Sequence, residues 1–184
     1  MMKMEPKVTE HTLAYPQGLE PDFIVPAEYM PYRFVLGKKG SAPLVAVCMN
    51  PSAAREDVTD MTIYRIVRHA ERSGADGWCV LNTYPERATD AFRLDSFDQA
   101  LSDENIAEIK KYLLENNVKE VWGAWGDDKN LQHLKQGRQA LLAMFKSIGV
   151  KVYYYGTLTK KGNPRHPLQR FEKWDYTKKN YLEF

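Results

Sequence analysis

Runs of continuous hydrophobicity alternate with amphipathic stretches along this chain. PLVAVCM (Pro43 to Met49) is apolar until it stops at Asn50-Pro51, the pattern of a strand buried on both faces. From Thr62 to Arg72 the apolar positions Ile63, Ile66, Val67 and Ala70 recur at helical spacing, and Arg65, Arg68 and Arg72 share the wetter side. Gly74 and Gly77 end that helix, and WCVLN (Trp78 to Asn82) follows as a second buried strand. A long polar connection, TYPERATDAFRLDSFD, leads to a helix expected to be capped by Ser102 and to run to Asn116, with Ile106, Ile109, Tyr112 and Leu113 as its apolar stripe. VKEVWGAW (Val118 to Trp125) reads as a third strand, Leu131 to Ile148 as a helix closed by Gly149, and VKVYYYG (Val150 to Gly156) as a fourth strand.

Short strands alternating with longer helices predict an α/β fold, a three-layer α/β/α sandwich around a central four-stranded parallel sheet. Before this core, Tyr32 to Leu36 alternates in character and reads as an edge strand closed by Gly37. Residues 1–28 carry Pro6, Pro16, Pro21 and Pro26, a spacing that forbids a long helix and predicts an irregular arm on a single domain spanning 29–184.

Composition narrows the classes of function. The chain has 184 residues, 43% hydrophobic and 27% charged, ordinary for one globular domain. Its 26 basic and 24 acidic side chains leave a formal charge of +2, which argues against broad electrostatic coating of nucleic acid but allows a local basic cleft. No apolar run approaches the ~20 residues that span a bilayer, and no basic segment followed by an apolar one opens the chain. The expectation is a cytoplasmic protein without a membrane partner. Cys48 and Cys79 both fall inside strands and read as core thiols, and no histidine or cysteine set has metal-ligand spacing, so neither a metal nor a cofactor is expected.

In an open α/β sheet, ligands bind outside the carboxyl ends of the strands. Four polar or glycine-rich clusters fall there: Asn50-Pro51-Ser52, Asn82-Thr83-Tyr84 with Arg87 beyond, Trp125-Gly126-Asp127, and Asn163-Pro164-Arg165-His166-Pro167. Each also has a structural reading as a strand-ending turn or a satisfied loop residue. Asp57, Asp60 and Asp90 are carboxylates able to polarise a water, and Lys161 and Arg165, with Arg87 opposite, are of the type that holds a phosphate. There is no glycine-rich phosphate loop, serine elbow or HExxH, so any chemistry rests on amides, backbone groups, histidine and a carboxylate, a set suited to reading a planar polar ring.

The strings VAVCMNPSA, DMTIYR, NTYPERATD, AWG and GNPRHPL, in that order, resemble a bacterial and phage family, "domain of unknown function 1643", over roughly residues 30 to 170. The same strings also look like a degenerate version of the uracil-DNA glycosylase superfamily. That likeness implies a parallel sheet between helices. It compares Asn50-Pro51 with the superfamily's first motif, and Leu81-Asn82-Thr83 with the asparagine that reads the pyrimidine edge. It compares Trp125-Gly126 with a strand-ending motif and His166-Pro167-Leu168 with the histidine loop that grips DNA. It implies Asn50 and His166 as catalytic residues and Pro51, Ser52, Asn82, Trp125 and Gly126 as substrate-binding residues, to which the basic residues at the rim add Arg87, Lys161 and Arg165. The implied partner is DNA or a nucleotide. Two departures stand out: Asn-Pro-Ser replaces Asp-Pro-Tyr-His, removing a water-activating aspartate, and Leu168 replaces a serine after His-Pro. Hydrolysis of an N-glycosidic bond in nucleic acid, a non-catalytic nucleotide-binding domain and a plain interaction module therefore all stay open, as does the oligomeric state.

Overall fold

The computed structural model describes residues 6–184. Residues 1–5 of the expected N-terminal arm lie outside the described residues. The central strands are β3 (Leu44–Cys48), β4 (Trp78–Asn82), β5 (Glu120–Gly123) and β6 (Lys151–Tyr154). β3 pairs in parallel with both β4 and β5, and β5 in parallel with β6. Three further strands extend this group: β1 (Phe23–Val25), β2 (Val35–Lys38) and β7 (Asn180–Tyr181). The sheet is therefore mixed and seven-stranded, in the order β1-β2-β4-β3-β5-β6-β7, rather than four-stranded and parallel. All three additions pair antiparallel: β2 on β4, β1 on β2 and β7 on β6. They cover edges that a bare parallel sheet would leave unpaired. β1 lies inside the segment expected to be irregular, because Phe-Ile-Val sits between prolines, and β7 is too short to show a period.

Alternation along the buried strands assigns the two faces. Ala46, Trp78, Val80 and Trp122 pack with Ile63, Ile66, Val67 and Ala70 of helix α1 (Met61–Arg72). Val45, Val47, Cys79, Leu81 and Val121 pack on the other face against Ile109 and Leu113 of α2 (Gln99–Glu115) and Leu141 and Phe145 of α3 (Gln132–Ile148). Both cysteines are buried free thiols, and burial pushes the Cys48 thiol up to about 12.

The caps explain the helix limits. The Asp60 carboxylate accepts from the Ile63 N–H at 3.0 Å and starts α1. Asp98, not Ser102, starts α2: its carboxylate accepts from the Leu101 N–H at 3.0 Å. Ser102 is a buried residue one turn inside that helix. Gly137 lies within α3, where a Cβ would overlap the Thr83 carbonyl, so the helix rests directly on the chain leaving β4. No helix among the described residues is long and apolar enough to cross a membrane.

Candidate functional site

The chain passes from β3 through α1 to β4 on one side, then through α2 to β5 on the other. Connections leave the sheet in opposite directions on either side of β3, and such a reversal opens a crevice at the strand ends. A cleft of about 510 Å³ lies there, and its walls include Asn50, Pro51, Ser52, Asn82, Trp125, Gly126 and His166.

Asn82 is the last residue of β4 and is 1% exposed. Its backbone carbonyl accepts from the Asn105 side chain at 3.0 Å, but neither its own Oδ1 nor its Nδ2 has a hydrogen-bond partner. An amide has donors and an acceptor, and leaving a buried polar group unpaired costs about 1–3 kcal/mol. Asn50, at the exit of β3, is different. Its Nδ2 donates to the Pro51 carbonyl at 3.2 Å and the Ala88 carbonyl at 2.9 Å, tying the β3 and β4 exit loops together. Ser52 Oγ and Thr89 Oγ1, 3.1 Å apart, add a second tie.

His166 is fixed by the two loops that follow β5 and β6. Gly126 adopts a left-handed conformation (φ +68°), and a Cβ there would stand 3.3 Å from the His166 Cβ. Its N–H donates to the Pro164 carbonyl at 2.9 Å. Trp125 Nε1 donates to Asn163 Oδ1 at 3.2 Å, while Asn163 Nδ2 and Thr159 Oγ1 both donate to Asp127 Oδ1, at 2.9 and 2.6 Å. The Leu168 N–H donates to His166 Nδ1 at 3.1 Å, so in the neutral ring the proton sits on Nε2. Burial pulls the imidazole down to about 4, opposed by Asp60 and reinforced by Arg65 and Lys129. At neutral pH, His166 is an uncharged Nε2–H donor.

Three of the residues expected to bind substrate lie outside the cleft lining. Arg87 is buried and donates from Nε to the Met30 carbonyl at 3.0 Å and from Nη1 to the carbonyls of Ser52 and Ala54 at 2.6 and 3.0 Å. It stacks under the Tyr29 ring at 4.4 Å, and burial, followed by the neighbouring Arg33, draws its pKa down to about 10. Arg165 donates to the carbonyls of Thr157 and Leu158 at 3.0 and 3.1 Å and stacks on Phe171. Lys161 is exposed and donates to Asn130 Oδ1 at 2.7 Å.

Several cleft residues escaped sequence reasoning. Arg33 is 1% exposed in the cleft wall, with Nη1 donating to the Ala54 carbonyl at 2.9 Å and Nε unpartnered. Its position within a predicted edge strand, Tyr32 to Leu36, gave no hint of this. Of the three candidate aspartates, only Asp60 lines the cleft; Asp57 pairs with Arg55 and Asp90 accepts from the Phe92 N–H. Thr9 and His11 of the arm reach the rim, held by Thr9 N–H donating to Thr89 Oγ1 at 2.7 Å.

Fold and site together define an α/β domain with a largely apolar cleft, studded with a few polar side chains, at the reversal point of its sheet. The chain belongs to a family described as a protein of unknown function (DUF1643), whose model matches residues 33–168. Neither a curated protein nor a solved structure matches it.

Proposed function

We propose that the cleft takes a planar nucleobase and that the domain, like the uracil-DNA glycosylases, hydrolyses the N-glycosidic bond of a modified or mismatched base in nucleic acid. The observation that carries this reading is the Asn82 amide, buried at the cleft with donor and acceptor unpaired. The edge of a pyrimidine-like ring, offering an acceptor beside a donor, satisfies both at once. His166 Nε2–H donates to the ring oxygen that gains charge as the bond lengthens. The water oxygen bonds to the sugar C1′, the C1′–N pair leaves with the base, and one water proton ends on the base. Asn50 Oδ1 orients that water, and Asp60, one of two aspartates lining the cleft, takes the one proton the water gives up and passes it on to the departing base. In a duplex the nucleotide first flips out, at a cost of a few kcal/mol.

A second reading, binding without hydrolysis, is favoured by one observation: the Asn50 amide is already engaged in holding its loop. Mass spectrometry of reactions with oligonucleotides carrying uracil, mismatched, oxidised or alkylated bases separates the two. Release of a free base by the parent protein, reduced at least a hundredfold in Asn82→Ala and His166→Ala, is the expected result. Saturable nucleoside binding without base release overturns hydrolysis in favour of the binding domain. Base release unchanged in Asn82→Ala overturns the assignment of the cleft.

A further inference from the structure

A second cavity, of about 690 Å³, lies beside α1, between that helix and the chain at Pro167 and at Tyr176 and Thr177. Arg65, Arg68 and Arg72 line it at spacings of three and four, so three guanidinium groups stand along one helix face. No carboxylate lines this groove among the described residues. Among the described residues these arginines make one ion pair, Arg68 Nη1 with Glu71 at 2.9 Å, and Arg68 also donates from Nε and Nη2 to Tyr64 Oη at 3.3 and 3.2 Å, so on this residue a phosphate would share or displace exposed local partners. Tyr64 and Tyr176 flank the groove, and Tyr176 is half exposed. In its wall lies Trp122, 2% exposed, whose indole N–H has no acceptor.

The groove also adjoins the cleft. Arg65 Nη1 donates to the Pro167 carbonyl at 3.2 Å, and Pro167 lines the groove while its neighbours His166 and Leu168 line the cleft. One three-residue stretch thus forms the wall between them. His69, also in the groove, donates or accepts at Tyr155 Oη (2.9 Å) and is uncharged at neutral pH, so the positive charge comes from the arginines.

We propose that this groove holds the sugar–phosphate backbone of a single nucleic-acid strand whose base occupies the cleft. The choice of a polymer rests on the base-reading role given to the cleft. Arginines at successive turns, with aromatic faces and a buried, unpaired N–H donor in the wall, match a run of phosphates with interspersed bases. A nucleoside monophosphate carries one phosphate, whereas three arginines along one helix face match several in a row.

The test is fluorescence anisotropy with a labelled single-stranded oligothymidylate of about twelve nucleotides, alongside thymidine and thymidine monophosphate. The variant is Arg68→Ala with Arg72→Ala, which leaves Arg65 on Pro167; Arg68→Lys with Arg72→Lys keeps the charge and controls for folding. The expected result is oligonucleotide affinity reduced about tenfold or more in the alanine pair and largely restored in the lysine pair. The slope of log affinity against log salt should fall by roughly 1.4, since each phosphate contact to a single strand contributes about 0.7. Equal affinity and slope in parent and alanine pair overturn the groove, as does binding of thymidine monophosphate as tight as the oligonucleotide. The groove and the excision reading fail on different results. If the groove variant loses the strand while no protein releases a base, excision fails and the groove stands. If the parent releases a base and the groove variant binds and turns over equally, the groove fails and excision stands.

Discussion

The strand-end cleft and the basic loop at residues 157–172 are built from the same residue types, and they differ in where their hydrogen bonds go. In the cleft, the Asn82 amide and the Arg33 Nε are buried with no partner. In the loop, Arg165 gives its donors to the carbonyls of Thr157 and Leu158, and Glu172 accepts from the Thr157 N–H at 2.7 Å. Arg87 behaves as the loop does, with three hydrogen bonds to carbonyls. Charge and residue type thus mark out a rim, but only unspent hydrogen-bonding capacity separates a group ready for a ligand from one that holds a turn.

The contrast breaks most clearly at Arg87. Replacing it by Met leaves the Ser52 and Met30 carbonyls without their donor, so Arg87→Met should lower stability by about 2–4 kcal/mol in urea unfolding. A change below about 1 kcal/mol would make Arg87 as free as the cleft residues. Of intermediate size is the histidine effect. His69 and His166 both titrate near 4 in the fold, held down first by burial, against 6.5 in the unfolded chain. Between those values the unfolded state takes up the proton first, so stability is full above about pH 6.5 and falls toward pH 4. Unfolding curves across that window should lose up to about 3 kcal/mol per histidine, and His166→Gln or His69→Gln should flatten the dependence. Smallest is Lys161→Ala. Its single exposed hydrogen bond is worth less than about 0.5 kcal/mol, and base release should stay within about twofold of the parent; a larger loss would return the loop to the site.

The alternation of apolar runs was enough to place the four parallel strands and three helices, because buried strands and amphipathic stripes are local signals. The edge strands were not legible in the same way: Asn180–Tyr181 and Phe23–Val25 are strands because β6 and β2 offer free edges, a tertiary fact. Ser102 misled because a serine ahead of acidic residues reads as a cap, whereas Asp98, whose N–H donates to Tyr84 Oη at 3.0 Å, takes that place. At the site, strand ends put Asn50, Asn82, Trp125 and His166 on one rim. The spent donors of Arg87, Lys161 and Arg165 and the inward turn of Arg33 depend on loops packing against one another, which no spacing encodes.

Gly137 carries a consequence of its own. Glycine is the costliest ordinary residue within a helix, about 1 kcal/mol worse than alanine, yet a methyl group here would collide with the carbonyl of Thr83, the residue after Asn82. Helix α3 forgoes some of its own stability so that the strand exit beneath it stays where it is. A helix that lines no part of the cleft thereby acts as its depth stop. Alanine at 137 would gain helix propensity yet force the strand exit to move, a change expected to lower ligand affinity and stability together.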